Sequence, residues 1–134
     1  MQRRAAVIGP GRIGRHHAKW YVRSGCELVG FVVSQTASLD ARAAELLAEC
    51  GAAGQGFTST TELLDTLRPD LVSICTPADT HYVHARAALE RGVAVLCEKP
   101  VTWAAEPQQA LDQAAELCAL AESHGTLFAV NLQY

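Results

Sequence analysis

Short apolar runs alternate with longer segments of helical spacing along this 134-residue chain, and that alternation admits few folds. Arg4 to Ile8, Leu28 to Val33, Leu71 to Cys75, Val93 to Cys97 and Leu127 to Asn131 are each five or six residues long and rich in Val, Ile and Leu. Runs that short and that apolar read as strands buried on both faces. Between them lie helical patterns, the clearest from Ala110 to His124, where Leu111, Ala114, Cys118 and Ala121 fall on one stripe. The Gly/Ala-rich stretch around residue 54 reads as a loop into a short edge strand near Phe57.

The punctuation agrees. Gly25, Gly51, Gly92 and Gly125 each stand where a helix stops in a left-handed cap. Ser59-Thr-Thr-Glu62 has the form of a capping box, and Asp79 or Thr80 is placed to cap the helix carrying His84 and Ala88. Strands alternating with helices throughout predict a single α/β domain over residues 1–134. Its sheet is doubly wound and mainly parallel, with helices on both faces and right-handed crossovers.

Within that frame the stretch Ala6-Val-Ile-Gly-Pro-Gly-Arg-Ile-Gly14 is a G-x-G-x-x-G that follows the first strand and opens the first helix. Gly9 permits the tight turn, Gly11 has no side chain to hold a pyrophosphate away, and Gly14 lets helix and strand pack closely. The amides of Arg12 and Ile13 then face an anion, with the helix dipole behind them. His16 and His17 are adjacent and cannot share a helix face, so one is expected partly buried and the other solvated.

Composition narrows the partners. A net charge of −3 provides no basic field for nucleic acid or an acidic membrane surface. No apolar run approaches the roughly 20 residues that span a bilayer, and the start carries no signal peptide, so a cytoplasmic protein is expected. The five cysteines are odd in number and form no C-x-x-C pair. Reduced core thiols suit them better than a disulfide framework or a metal site.

A second site signal lies in Cys75-Thr-Pro-Ala-Asp-Thr-His-Tyr82 and in Cys97-Glu-Lys-Pro100, which close the fourth and fifth runs. Ligands of doubly wound sheets sit beyond the carboxyl ends of the strands, so both loops open onto the crevice of the glycine loop. Lys99 is the candidate for chemistry, with its ammonium partly buried and placed to exchange a proton with a substrate oxygen.

GPGRIG followed by CTPADTHYVHARAALERGVAVLCEKP resembles the amino-terminal domain of the glucose-fructose oxidoreductase, inositol dehydrogenase and rhizopine-catabolism (Gfo/Idh/MocA) family of NAD(P)-dependent oxidoreductases. The likeness covers nearly the whole chain. It implies a Rossmann domain in which Gly9, Gly11, Arg12, Ile13 and Gly14 line the pyrophosphate and Thr76 and Pro77 lie against the cofactor. It further implies that Glu98 sits near the nicotinamide ribose, that Lys99 holds the group exchanging hydride, and that Pro100 follows a cis peptide bond. The implied activity is hydride transfer between nicotinamide and a sugar, cyclitol or similar hydroxy or carbonyl compound.

Two departures from the family pattern bear on this. The family's second α/β domain is absent from this sequence, leaving apolar surface along the last strand and near Trp103 and Tyr134. A homodimer or a partner protein is the expected cover. At the end of the second strand, where an acidic residue would take the ribose of NAD, the chain reads Phe31-Val-Val-Ser-Gln-Thr36. Ser34 and Thr36 as donors favour NADP slightly over NAD, with Arg12 or Arg42 needed to complete a 2′-phosphate site. The alternative to an enzyme is a non-catalytic Rossmann module that binds a nucleotide or docks on a partner.

Overall fold

The computed structural model describes residues 1–132, so the surface anticipated at Tyr134 lies outside the described residues. Six strands run through it: β1 (Arg4–Ile8), β2 (Glu27–Val32), β3 (Gln55–Phe57), β4 (Leu71–Ile74), β5 (Ala94–Glu98) and β6 (Phe128–Asn131). Five α-helices alternate with them: α1 (Arg12–Arg23), α2 (Leu39–Cys50), α3 (Thr60–Leu67), α4 (His81–Leu89) and α5 (Pro107–His124). All pairings are parallel, in the order β3-β2-β1-β4-β5-β6. The chain winds outward from β1 to β3 and returns to β4 on the other side, so the switch in strand order falls between β1 and β4.

Each face of the sheet has its own core. Val7, Leu28, Phe31 and Val33 pack against Ala18 of α1 and Leu46 of α2. Ala6, Ile8, Val72, Ile74, Val95 and Cys97 pack on the other face against Leu63 and Leu64 of α3, Ala85 and Leu89 of α4 and Leu117 of α5. The central strands are mostly apolar because both of their faces are covered, with Ser73 of β4 the buried polar exception. β6 departs from the expectation of full burial: Phe128, Ala129 and Asn131 are half-buried and Val130 is exposed, since β6 is the edge strand.

The four capping glycines all have positive φ, and Ser59 caps α3 by accepting from the Glu62 amide at 3.3 Å. Helix α3 ends without a glycine, on Arg68 in the left-handed region at φ 46°. Two expectations are corrected. Thr80 stands at the N-cap of α4, as one of the two expected positions, but its side chain makes no capping bond: a short 3₁₀ turn over Ala78–Thr80 precedes the helix, and the Thr80 hydroxyl lies 2.8 Å from both Thr76 Oγ1 and the Pro77 carbonyl. The buried stripe of α5 runs through Leu117 and Ala121, while Leu111 and Cys118 are exposed. α5 covers only the sheet edge, so its inner face is narrow, and four small or apolar residues at helical spacing did not reveal its rotation.

Candidate functional site

The turn from β1 into α1 shows why its three glycines differ. Gly9 has φ +84°, and a Cβ there would lie 2.8 Å from the Cys75 carbonyl oxygen. A Cβ on Gly14 would lie 2.2 Å from the Gly9 carbonyl oxygen. Those two glycines are required by packing alone. Gly11 is different, because a Cβ there would meet nothing within 4 Å. Its backbone borders open space, and that space is a groove of about 450 Å³ lined by Gly9, Pro10, Gly11, Ser34, Thr76 and Pro77.

Gly11 also precedes the first turn of α1 in extended conformation. The first bond of that helix runs from the Arg15 amide to the Gly11 carbonyl at 2.9 Å, leaving the earlier amides without partners inside the helix. Arg12 and Ile13 stand on this exposed turn, and no acidic side chain occupies it. An anion is therefore favoured there by orphan amides and by the helix dipole together.

On one side the groove is bounded by Ser34, Ser38 and Arg42, from the β2–α2 connection and α2. Arg42 Nη1 donates to Glu45 Oε2 at 2.6 Å. On another side stand Thr58, Thr80 and His84, and His84 Nδ1 lies 2.8 Å from Thr60 Oγ1. Burial, with the charge of His81 adding to it, pushes the His84 imidazole below its ordinary pKa of 6.5. Sequence reasoning placed His84 only as a helix residue. A histidine three positions after another on one helix gives no sign of facing a groove until the neighbouring strands are in place.

The loops after β4 and β5 are held together by His81, which is buried. Its Nδ1 lies 2.7 Å from the Pro100 carbonyl and its Nε2 2.8 Å from the Thr76 carbonyl. The Thr76-Pro77 loop and the Lys99-Pro100 turn, whose peptide bond is cis as expected, thus share one anchor. Lys99 itself is exposed rather than partly buried, because the turn lifts it clear of the end of β5.

Glu98 points into a polar cluster. Its Oε1 lies 2.8 Å from His17 Nε2 and accepts from Asn131 Nδ2 at 2.6 Å, and His17 Nδ1 lies 2.8 Å from Ser73 Oγ. The Tyr21 hydroxyl bonds Ser73 as well, and burial pushes its phenol up to about 12. The expected split of the histidine pair is observed, with His17 buried and His16 exposed. Oε2 of Glu98 makes no hydrogen bond among the described residues.

The thiols at the ends of β4 and β5 are held in their protonated form at neutral pH. Burial, reinforced by the charge of Glu98, pushes Cys75 and Cys97 up to about 12. Cys118, expected in the core, is exposed. A larger depression of about 890 Å³ lies at the opposite, amino-terminal end of the sheet. Its charges largely satisfy one another, Arg91 bonding Asp65 at 2.7 Å and Arg3 approaching Asp70 at 3.8 Å, and it lies away from the strand ends where such sheets bind ligands.

A six-stranded sheet in this order, with a glycine turn at the switch point and an open groove beyond it, defines a dinucleotide-binding domain of Rossmann type. The chain belongs to the Gfo/Idh/MocA oxidoreductase family with NAD-binding Rossmann fold, whose model matches residues 3–132. It is 33% identical over 133 residues to D-glucoside 3-dehydrogenase of Escherichia coli, covering 98% of this chain and 35% of that protein. It is 41% identical over 108 residues to UDP-N-acetylglucosamine 3-dehydrogenase of Acidithiobacillus ferrooxidans, covering 81% of this chain and 32% of that protein. The crystal structure of an NAD binding oxidoreductase from Klebsiella pneumoniae superposes with a TM-score of 0.82 at 27% identity, over 98% of this chain and 34% of that one. This chain spans about a third of the length of each.

Proposed function

We propose that the groove holds a nicotinamide dinucleotide and that the chain is the cofactor-binding part of an oxidoreductase acting on a sugar, sugar nucleotide or cyclitol. The observation that carries this reading is the opening at Gly11, where the backbone is bare in front of the orphan amides of α1. When bound, the nicotinamide supplies a carbon that gives or takes a hydride. Gly9, Gly11, Arg12, Ile13 and Gly14 shape the pyrophosphate site, and Thr76 and Pro77 support the cofactor beside it. Glu98 keeps Oε2 for a ribose hydroxyl while its other oxygen fixes the end of β5. Lys99, exposed on the adjoining turn, holds or releases the proton on the substrate oxygen.

NADP is proposed over NAD. The β2 end offers Ser34, Ser38 and Arg42 to a 2′-phosphate and no carboxylate to a ribose diol. The dehydrogenase relatives, with a D-glucoside and a UDP-sugar in their names, support the substrate class. A cytoplasmic setting is proposed from the free cysteines. Among the described residues no helix is long and apolar enough to cross a membrane. A second copy or a partner protein is proposed to cover the face of β6, where Leu127, Val130 and Leu132 are exposed near the end of the described chain.

The test is a fluorescence and calorimetric titration of the chain with NADPH and NADH. Micromolar binding, tighter for NADPH and equalised by Arg42→Ala, is the expected result. Binding of neither at millimolar concentration would overturn the reading and leave a non-catalytic docking module.

A further inference from the structure

The groove is longer than its pyrophosphate site, and its far part is lined by residues that the family motifs do not account for. Taking the groove as a dinucleotide site, the phosphates stand at Gly11 and the adenosine ribose at the end of β2, beside Ser34. The base continues from that ribose. Two walls flank the space it can enter. One is Ser38 and Arg42, on the α1–α2 face of the sheet, and the other is Thr58 and His84, on the α3–α4 face.

The two walls differ in chemistry. Arg42 carries a fixed cation, suited to a phosphate. His84 is half-buried on the helix that follows β4, and burial favours its neutral form. A neutral imidazole is a poor partner for a dianion and a good one for an uncharged heterocycle with donors and acceptors on its edge. Its Nδ1 is taken by Thr60 at 2.8 Å. Its Nε2 has no hydrogen-bond partner among the described residues and is not among the sealed, unsatisfied polar atoms. Thr60 is itself buried as the first residue of α3, so the ring is held by a group that cannot swing away.

We infer that His84 is the residue that meets the adenine of the dinucleotide, donating or accepting one hydrogen bond at the base edge through Nε2, with Thr60 as the residue that holds its ring in place. The base is common to NADH and NADPH, so the contact strengthens both equally. Selection between the two cofactors stays with Arg42 and the serines on the opposite wall. The inference rests on the dinucleotide reading of the groove.

The experiment is calorimetric titration of the unmodified chain, His84→Leu, His84→Gln and Thr60→Val with NADH, NADPH and reduced nicotinamide mononucleotide, which lacks the adenosine. A single neutral hydrogen bond corresponds to a loss of about 3- to 10-fold in affinity. That loss is expected in His84→Leu for NADH and NADPH alike, with no change for the mononucleotide. His84→Gln, which keeps an amide nitrogen near the Nε2 position, should recover most of it, and Thr60→Val should show a smaller loss in the same direction. A loss confined to NADPH would place His84 on the 2′-phosphate and overturn the assignment. Unchanged affinity for both dinucleotides in His84→Leu would overturn it too, as would a Thr60→Val affinity equal to the parent's if His84→Leu does not fold. If the unmodified chain binds neither dinucleotide, the dinucleotide reading of the groove fails first and takes this assignment with it.

Discussion

His17 Nε2 and Glu98 Oε1 stand 2.8 Å apart, joining the glycine helix to the end of β5 across 81 residues of sequence. The pair couples the two halves of the site: α1 carries the orphan amides, and Glu98 immediately precedes Lys99. Both side chains are largely buried, 6% and 16% exposed. Removing one partner leaves the other desolvated. His17→Ala is expected to cost about 2 to 4 kcal/mol of stability, more than an exposed ion pair returns. Urea unfolding of the variant beside the parent measures it, and a midpoint unchanged from the parent's would show the pair to be incidental.

The glycines of the β1–α1 turn should separate binding from folding. Gly11→Ala places its methyl in open space and is expected to unfold within about 1 kcal/mol of the parent while losing at least tenfold in affinity for NADPH. Gly14→Ala drives a methyl into the Gly9 carbonyl and is expected to destabilise by about 3 kcal/mol. Thermal melts and cofactor titrations on the same two samples decide the matter. Equal behaviour of the two variants would contradict the geometry.

Lys99 is exposed and makes no hydrogen bond among the described residues. Lys99→Ala should leave stability within about 0.5 kcal/mol and cofactor affinity within about twofold. Under the proposed activity it should lower kcat by the 10²- to 10⁴-fold that a positioned proton donor contributes. A loss carried in the affinity for cofactor would transfer Lys99 from proton transfer to binding.

The imidazole of His84 is held below its ordinary pKa of 6.5 by burial first and by His81 second. As pH falls through 6.5, the unfolded chain takes up a proton at this position before the folded chain does. The contribution of His84 to stability is thus fully present above that pH and declines below it. Chemical denaturation at pH 7.5, 6.5 and 5.5 should show the parent losing more stability on acidification than His84→Gln. Parallel pH dependences would mean that the ring binds its proton equally well in the folded and the unfolded chain, against the lowering expected from burial.

The sequence pattern carries most of this fold because each local signal agrees with the parallel sheet: apolar runs for strands covered on both faces, glycines for left-handed ends, Ser59 for the start of α3. It fails where tertiary context decides. Arg68 closes α3 in a conformation that side chains seldom adopt, and no propensity announces it. α5 buries Leu117 rather than Leu111 because its rotation is set by the edge of the sheet it covers. At the candidate site, the glycine turn from Gly9 to Gly14 is visible as spacing. The groove wall at Thr58 and His84 is not, since it is assembled from separate elements that only the crossovers bring together. The Glu98–Asn131 bond joins residues 33 apart and is equally invisible to a local reading.

The central strand β1 pairs with β2 on one side and with β4 on the other, Ala5 lying opposite Leu28 and opposite Leu71. The second pairing spans about half of the described chain, so β1 remains a half-made ladder until β4 arrives. Loops that long slow the search for native pairing, and during synthesis the apolar edge of β1 waits for tens of residues. The crevice at the switch point is created by the same event that closes the sheet. A ligand added to an emerging chain can therefore pull on folding only after Ile74 has paired with Ile8.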